Sequence, residues 1–197
     1  MSQKKARAAR QHSGTGTSGG SARDRSRLLW GAAAVVAVAL VGVGLLAARG
    51  TGPAAAVNVS SGKEISLSGT DPITGNQVSL DDYAGKPVVL NVWASWCEGC
   101  RAEAVALRQF AERHPEAQVI GLDQQDSEGP ARAFYAEFGW KHPSIDDPSG
   151  EAAKGLGLQG LPTTFFLDSA HRIVTRIVGE TDLAGFEQAL EQALSGA

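Results

Sequence analysis

Cys97 and Cys100 are the only two cysteines in a chain of 197 residues, and they stand three positions apart in "WASWCEGC". A pair so spaced is open to three chemistries: a covalent staple, half of a metal site, or a redox centre. As a staple it would gain little, because loop-closure stabilisation grows with loop length and this ring encloses almost nothing. As a metal site it lacks partners. Structural zinc takes four ligands, there is no third cysteine, and His114, His142 and His171 are scattered without forming a ligand pair.

The redox reading depends on what positions the pair. "PVVLNVWA" (87–94) is a near-continuous apolar, β-branched run, the pattern of a strand buried on both faces. Residues 98–113 are rich in Ala, Glu and Arg, with Val105, Leu107, Phe110 and Ala111 supplying helical spacing. Cys97 therefore falls at a helix N-terminus just beyond a buried strand, where ligand sites of open sheets concentrate. Unpaired N–H groups and the positive end of the helix dipole favour a thiolate there. Cys100, one turn further in, is expected to be more buried and to resolve a mixed disulfide formed on Cys97.

The remaining segments supply the rest of a layered domain. "KEISLSGTDPITGNQVSL" reads as a β-hairpin around a Pro/Gly/Asn turn, and "AQVIGLD" (117–123) as a further strand. Residues 129–140 are helical, with Gly139 as terminator; 163–168 and 171–179 form an antiparallel hairpin; 182–194 close as an amphipathic helix. This order predicts an α/β fold, a mixed central sheet with helices on both faces and an N-terminal β-hairpin.

"NVWASWCEGCRAE" followed by "GLQGLPTTFFLD" resembles the thioredoxin superfamily, and within it the membrane-anchored TlpA/ResA-like thiol–disulfide oxidoreductases. The resemblance spans about residues 62–195 and implies a thioredoxin-like fold. It implies that Pro162, after Leu161, is a cis-proline facing the CxxC and lining the substrate groove, with Trp96 beside the disulfide. Trp93 and Trp140 are expected to be core packing. The resemblance further implies exchange with apocytochrome c or other exported cysteine-containing proteins, a membrane thiol–disulfide electron donor, and no cofactor.

Three positions depart from that pattern. Thioredoxins proper carry an Asp six residues before the first Cys, where this chain has Asn91, and an amide does not shuttle protons. Glu103, three residues after Cys100, stands where the TlpA/ResA-like branch commonly has a glutamate. On a helix it shares a face with Cys100 and is the candidate proton acceptor for that thiol; a solvated surface carboxylate is the competing reading. Gly99 replaces the family's usual Pro, and Glu98 beside Cys97 opposes thiolate formation. Both bear on redox potential.

The N-terminal quarter has another composition. Residues 1–27 hold seven Lys/Arg and one acid, and read as a basic disordered tail. Residues 28–48 carry no charge over 21 positions, enough for a transmembrane helix through a lipid bilayer. A cleaved signal peptide is the rival, since "PAAA" follows at 53–56. The long basic region, the length of the apolar run and the lack of a lipobox cysteine favour an uncleaved signal-anchor. Residues 49–61 read as a linker and 62–197 as the thioredoxin-like domain. The positive-inside rule puts the tail in the cytoplasm and the domain outside, single-pass in a bacterial cell membrane. Residues 50–197 carry 10 Lys/Arg and 20 Asp/Glu, a net −10 that argues against nucleic acid as a partner. The expected function is extracytoplasmic thiol–disulfide exchange as a reductant, with an oxidant or a non-catalytic binding module as alternatives.

Overall fold

The computed structural model describes residue 62 and residues 64–195. The proposed tail, the span at 28–48 and the whole of the linker at 49–61 lie outside the described residues. Among the described residues no helix is long and apolar enough to cross a membrane.

A two-stranded antiparallel hairpin opens the domain, β1 (Ser68–Thr70) and β2 (Gln77–Ser79), followed by a 3-10 turn at Leu80–Tyr83. The main sheet has five strands: β3 (Val88–Trp93), β4 (Gln118–Gln124), β5 (Ser144–Asp147), β6 (Thr163–Leu167) and β7 (Ile173–Val178). Their spatial order is β5-β4-β3-β6-β7, with β3, β4 and β5 parallel and β6 and β7 antiparallel to their neighbours. Four helices connect or close the sheet: α1 (Glu98–Arg113), α2 (Glu128–Phe138), α3 (Glu151–Gly155) and α4 (Leu183–Ser195).

Strand alternation divides the core. Val89 and Trp93 of β3 face Leu107 and Phe110 of α1, Phe134 of α2 and Phe186 of α4. Val88, Leu90 and Val92 face the opposite layer, with Val78, Leu80 and the short α3. All six residues of β3 are buried, as expected for a central strand covered on both sides.

Two elements were not expected from the sequence. β5, "SIDD", has no apolar run because it is an edge strand, paired only with β4. α3 is five residues long, and its start is held by Asp147, which accepts the N–H groups of Ala152 and Ala153 at 3.3 and 2.9 Å. One assignment is corrected: Val105 is 45% exposed. The buried face of α1 runs instead through Cys100, Glu103, Ala104, Leu107 and Phe110.

Candidate active site

β3 ends at Trp93 and α1 begins at Glu98, so residues 94–97 carry the chain from the sheet edge into the helix. Cys97 is the N-cap of α1: its backbone is extended, and its sulfur accepts the N–H of Cys100 at 3.1 Å. One orphan donor of the helix is thus aimed at the atom that becomes a thiolate on reduction. Cys97 and Cys100 are joined as a disulfide, with Cα atoms 5.2 Å apart. Both are buried, Cys100 the more so, at 1% exposed against 6%.

The loop before the pair is tied down. Asp126 accepts both the N–H and the hydroxyl of Ser95, and the Trp96 indole donates to the carbonyl of Gln125 at 3.2 Å. The Trp96 ring is nevertheless 59% exposed, an unusual position for a large aromatic and a surface beside the disulfide that a partner can cover. Trp93 is fully buried against Phe134, Tyr135 and Trp140, and Trp140 is buried with its indole N–H on the carbonyl of Ala104. Both are packing residues.

Pro162 approaches from the start of β6. The Leu161–Pro162 peptide is cis. A Cβ on Gly99 would lie 3.0 Å from Pro162 Cδ and 3.4 Å from Glu180 Oε2. Gly99 therefore has a packing reason: proline ring and carboxylate lie against the CxxC turn where a side chain would stand. Leu161 is half-buried and packs against both core layers.

Glu103 is 1% exposed, not the solvated helix carboxylate of the competing reading. Its Oε1 accepts from Asn91 Nδ2 at 2.8 Å and its Oε2 from the Thr181 N–H at 3.2 Å. Asn91 also donates to Thr164 Oγ1 at 2.9 Å. Burial pushes the Glu103 carboxyl up to about 8; the two hydrogen bonds oppose the rise and the Glu180 carboxylate adds to it. The group thus holds its proton at neutral pH, one turn behind Cys100, within reach of pH values where thiols ionise. Asp123, at the end of β4, is also buried and lifted to about 8 by burial, with Asp126 and Asp146 adding to it.

Sequence reasoning noticed Asn91 only for what it lacks; its pairing with Glu103 follows from the strand alternation that turns it toward α1. Glu180 and Thr181 were missed, because they lie in a loop about 80 residues from the cysteines and have no motif of their own.

A disulfide with one sulfur at a helix N-terminus and the other covered, backed by a buried acid that keeps its proton, is a two-electron device. It trades electrons with other thiols and disulfides. On this five-stranded sheet it makes the protein a thioredoxin-fold thiol–disulfide oxidoreductase. Residues 60–192 match the family described as Redoxin, and the chain belongs to that family.

Relatives agree on the chemistry. The chain is 35% identical over 150 residues to the thiol:disulfide interchange protein DsbE homolog of Paracoccus denitrificans, covering 73% of this chain and 82% of that one. It is 29% identical over 133 residues to the thiol-disulfide oxidoreductase ResA of Bacillus thuringiensis subsp. konkukian, covering 66% and 77%. Among solved structures, a DsbF homologue from Corynebacterium diphtheriae superposes with a TM-score of 0.60 at 30% identity, over 76% of this chain and 97% of that one.

Proposed function

We propose that this oxidoreductase works outside the cytoplasm, tethered through residues 28–48, and reduces disulfides in exported proteins. The observation that carries the direction is the charge around Cys97. Glu98 follows it directly, and the Glu180 carboxylate reaches the CxxC turn at Gly99. These negative neighbours oppose the stabilisation that the helix N-terminus gives the Cys97 thiolate, and a dithiol whose reduced form is less stabilised is a stronger reductant.

In that direction the Cys97 thiolate attacks one sulfur of a substrate disulfide, and the other leaves as a thiolate that takes up a proton. Cys100, deprotonated, then attacks Cys97 Sγ, which restores the internal disulfide and expels the second substrate sulfur. Two electrons and two protons pass to the substrate, and a membrane dithiol donor returns them. Glu103 lies on the helix face of Cys100, and in its ionised form takes the Cys100 proton in the second step. Pro162, Leu161 and Trp96 form the groove against which the substrate strand lies. Apocytochrome c, which must keep its cysteines reduced, fits the substrate class.

The reduction potential of the Cys97–Cys100 couple tests the direction. A value near about −270 mV supports the reductant; one near about −120 mV assigns an oxidant instead. Cys100→Ser should trap substrates on Cys97 as mixed disulfides; binding without trapping would mean a non-catalytic module. Protease access to residues 62–197 from the outside of intact spheroplasts tests the topology, and protection there would overturn it.

A further inference from the structure

All five strands meet the end of the sheet that bears the disulfide. β3, β4, β5 and β7 finish there and β6 begins there, since Trp93 pairs with Asp123, Gln124 with Asp147, Val92 with Thr163, and Thr163 with Val178; β5 is the edge strand beyond β4, and the other four supply the segments around the disulfide. Within residues 95–101, 124–128, 158–162 and 179–182 the charged side chains are Glu98, Asp126, Glu128, Glu180, Asp182 and a single cation, Arg101. Arg101 is engaged: its guanidinium pairs with Glu137 and lies over the rings of Phe134 and Phe138. Asp126 is occupied by Ser95 and Ser127, Glu128 pairs with Arg132, and Asp182 accepts the N–H of Gly185 at the start of α4. Glu98 and Glu180 form no ion pair among the described residues.

Of these two, Glu180 is held in place by its neighbours. The Gly179 N–H donates to the carbonyl of Pro162 at 2.9 Å, and the Thr181 N–H donates to Glu103 Oε2 at 3.2 Å. The backbone on either side of Glu180 is thus fixed to the groove proline and to the buried acid. Its carboxylate is left exposed over the CxxC turn, where Oε2 is 3.4 Å from a Cβ position on Gly99. A substrate strand lying between Cys97 and Pro162 passes beside this fixed negative charge.

We propose that Glu180 is a specificity-determining residue of the exchange reaction, favouring cysteines flanked by Lys or Arg and disfavouring those flanked by Asp or Glu. This rests on the exchange reading above and names the substrate class of the same groove. A single surface charge pair changes a rate by about three- to fivefold, and charge complementarity acts mainly on encounter.

The test uses the full chain, reduced, and two disulfide-linked peptide dimers differing only in whether Lys or Glu flanks the cysteine. Each Lys-to-Glu rate ratio is divided by the ratio found with dithiothreitol, which removes the peptides' intrinsic reactivity and any inactive fraction of enzyme. At low salt the normalised ratio should exceed about three and should collapse toward one in 1 M salt, where the Debye length is about 3 Å. Glu180→Gln should lower it about three- to fivefold, and Glu180→Lys should bring it below one. A normalised ratio near one in the wild type, or one unchanged in both variants, overturns the proposal and leaves the exchange reading standing. If the chain reduces neither peptide while dithiothreitol reduces both, the exchange reading fails and this inference with it.

Discussion

Glu103→Gln should remove a large part of the pH dependence of this domain's stability. In the folded chain the carboxyl is pushed from 4.5 to about 8, chiefly by burial. The folded state therefore holds a proton that the unfolded state has released. The stabilisation is fully present below pH 4.5 and is lost as pH rises through about 8, above which it stays lost. At about 1.4 kcal/mol per pH unit, that window is worth about 5 kcal/mol, a large share of a typical domain's stability of about 5–15 kcal/mol.

The assay is urea unfolding of the oxidised chain at pH steps from 4.5 to 9, followed by the fluorescence of the buried Trp93 and Trp140. Oxidation keeps the thiols out of the titration, and Asp123, also lifted to about 8, contributes equally to both proteins and cancels in the difference. The stability of wild type relative to Glu103→Gln should fall by about 5 kcal/mol across the range, with the slope confined between pH 4.5 and 8. A difference that does not vary with pH would show that Glu103 carries no proton in the folded state, and the proposal that it accepts the Cys100 proton near neutral pH would go with it.

Gly121→Ala should destabilise the fold by about 1–3 kcal/mol in the same unfolding assay. Its Cβ would stand 2.5 Å from Ser144 Oγ and 2.7 Å from Trp93 Nε1, wedging apart the bond between those two groups. Asn91→Ala removes the donor to Glu103 Oε1, so the carboxyl should titrate still higher; infrared titration of its C=O stretch reads this, and a downward move would contradict it. Gly99→Ala should slow reduction of a peptide disulfide by roughly three- to tenfold. The new methyl would press on Pro162 and Glu180, and stopped-flow mixing with the reduced chain gives the rate.

What the sequence disclosed and what it hid have different physical origins. β3 and α1 were legible because hydrophobic pattern and length agree: a run apolar but for Asn91 for a strand covered on both faces, then a 16-residue helix rich in Ala, Glu and Arg. The hairpin of β6 and β7 was legible for the same reason. β5 was not, because its stability comes from the neighbouring strand and from Asp147 holding α3, and not from its own composition. Val105 misled because spacing alone does not say which of several apolar residues faces inward. At the site, the cysteines and Pro162 are local motifs that a reader can find. The environment of Glu103 is not local: it is assembled from Asn91 on β3 and Thr181 after β7, 12 and 78 residues away.

That assembly gives meaning to the replacement of an acid by Asn91. A carboxylate at position 91 would face Glu103 across 2.8 Å, and two buried carboxyls so close could not both ionise. An amide there instead donates to Oε1, and its second contact, on Thr164, holds it across to β6. The buried acid thus stands on the helix, on the same buried face as Cys100, with the amide on the strand as its donor. On that helix it is also bonded to the loop whose next side chain is Glu180. One loop therefore touches Pro162, the buried acid and the CxxC turn. The Glu180 carboxylate is the last and smallest of the contributions that set the Glu103 carboxyl, so burial and the bonds from Asn91 and Thr181 govern it, and a neutral residue at position 180 would lower it only slightly.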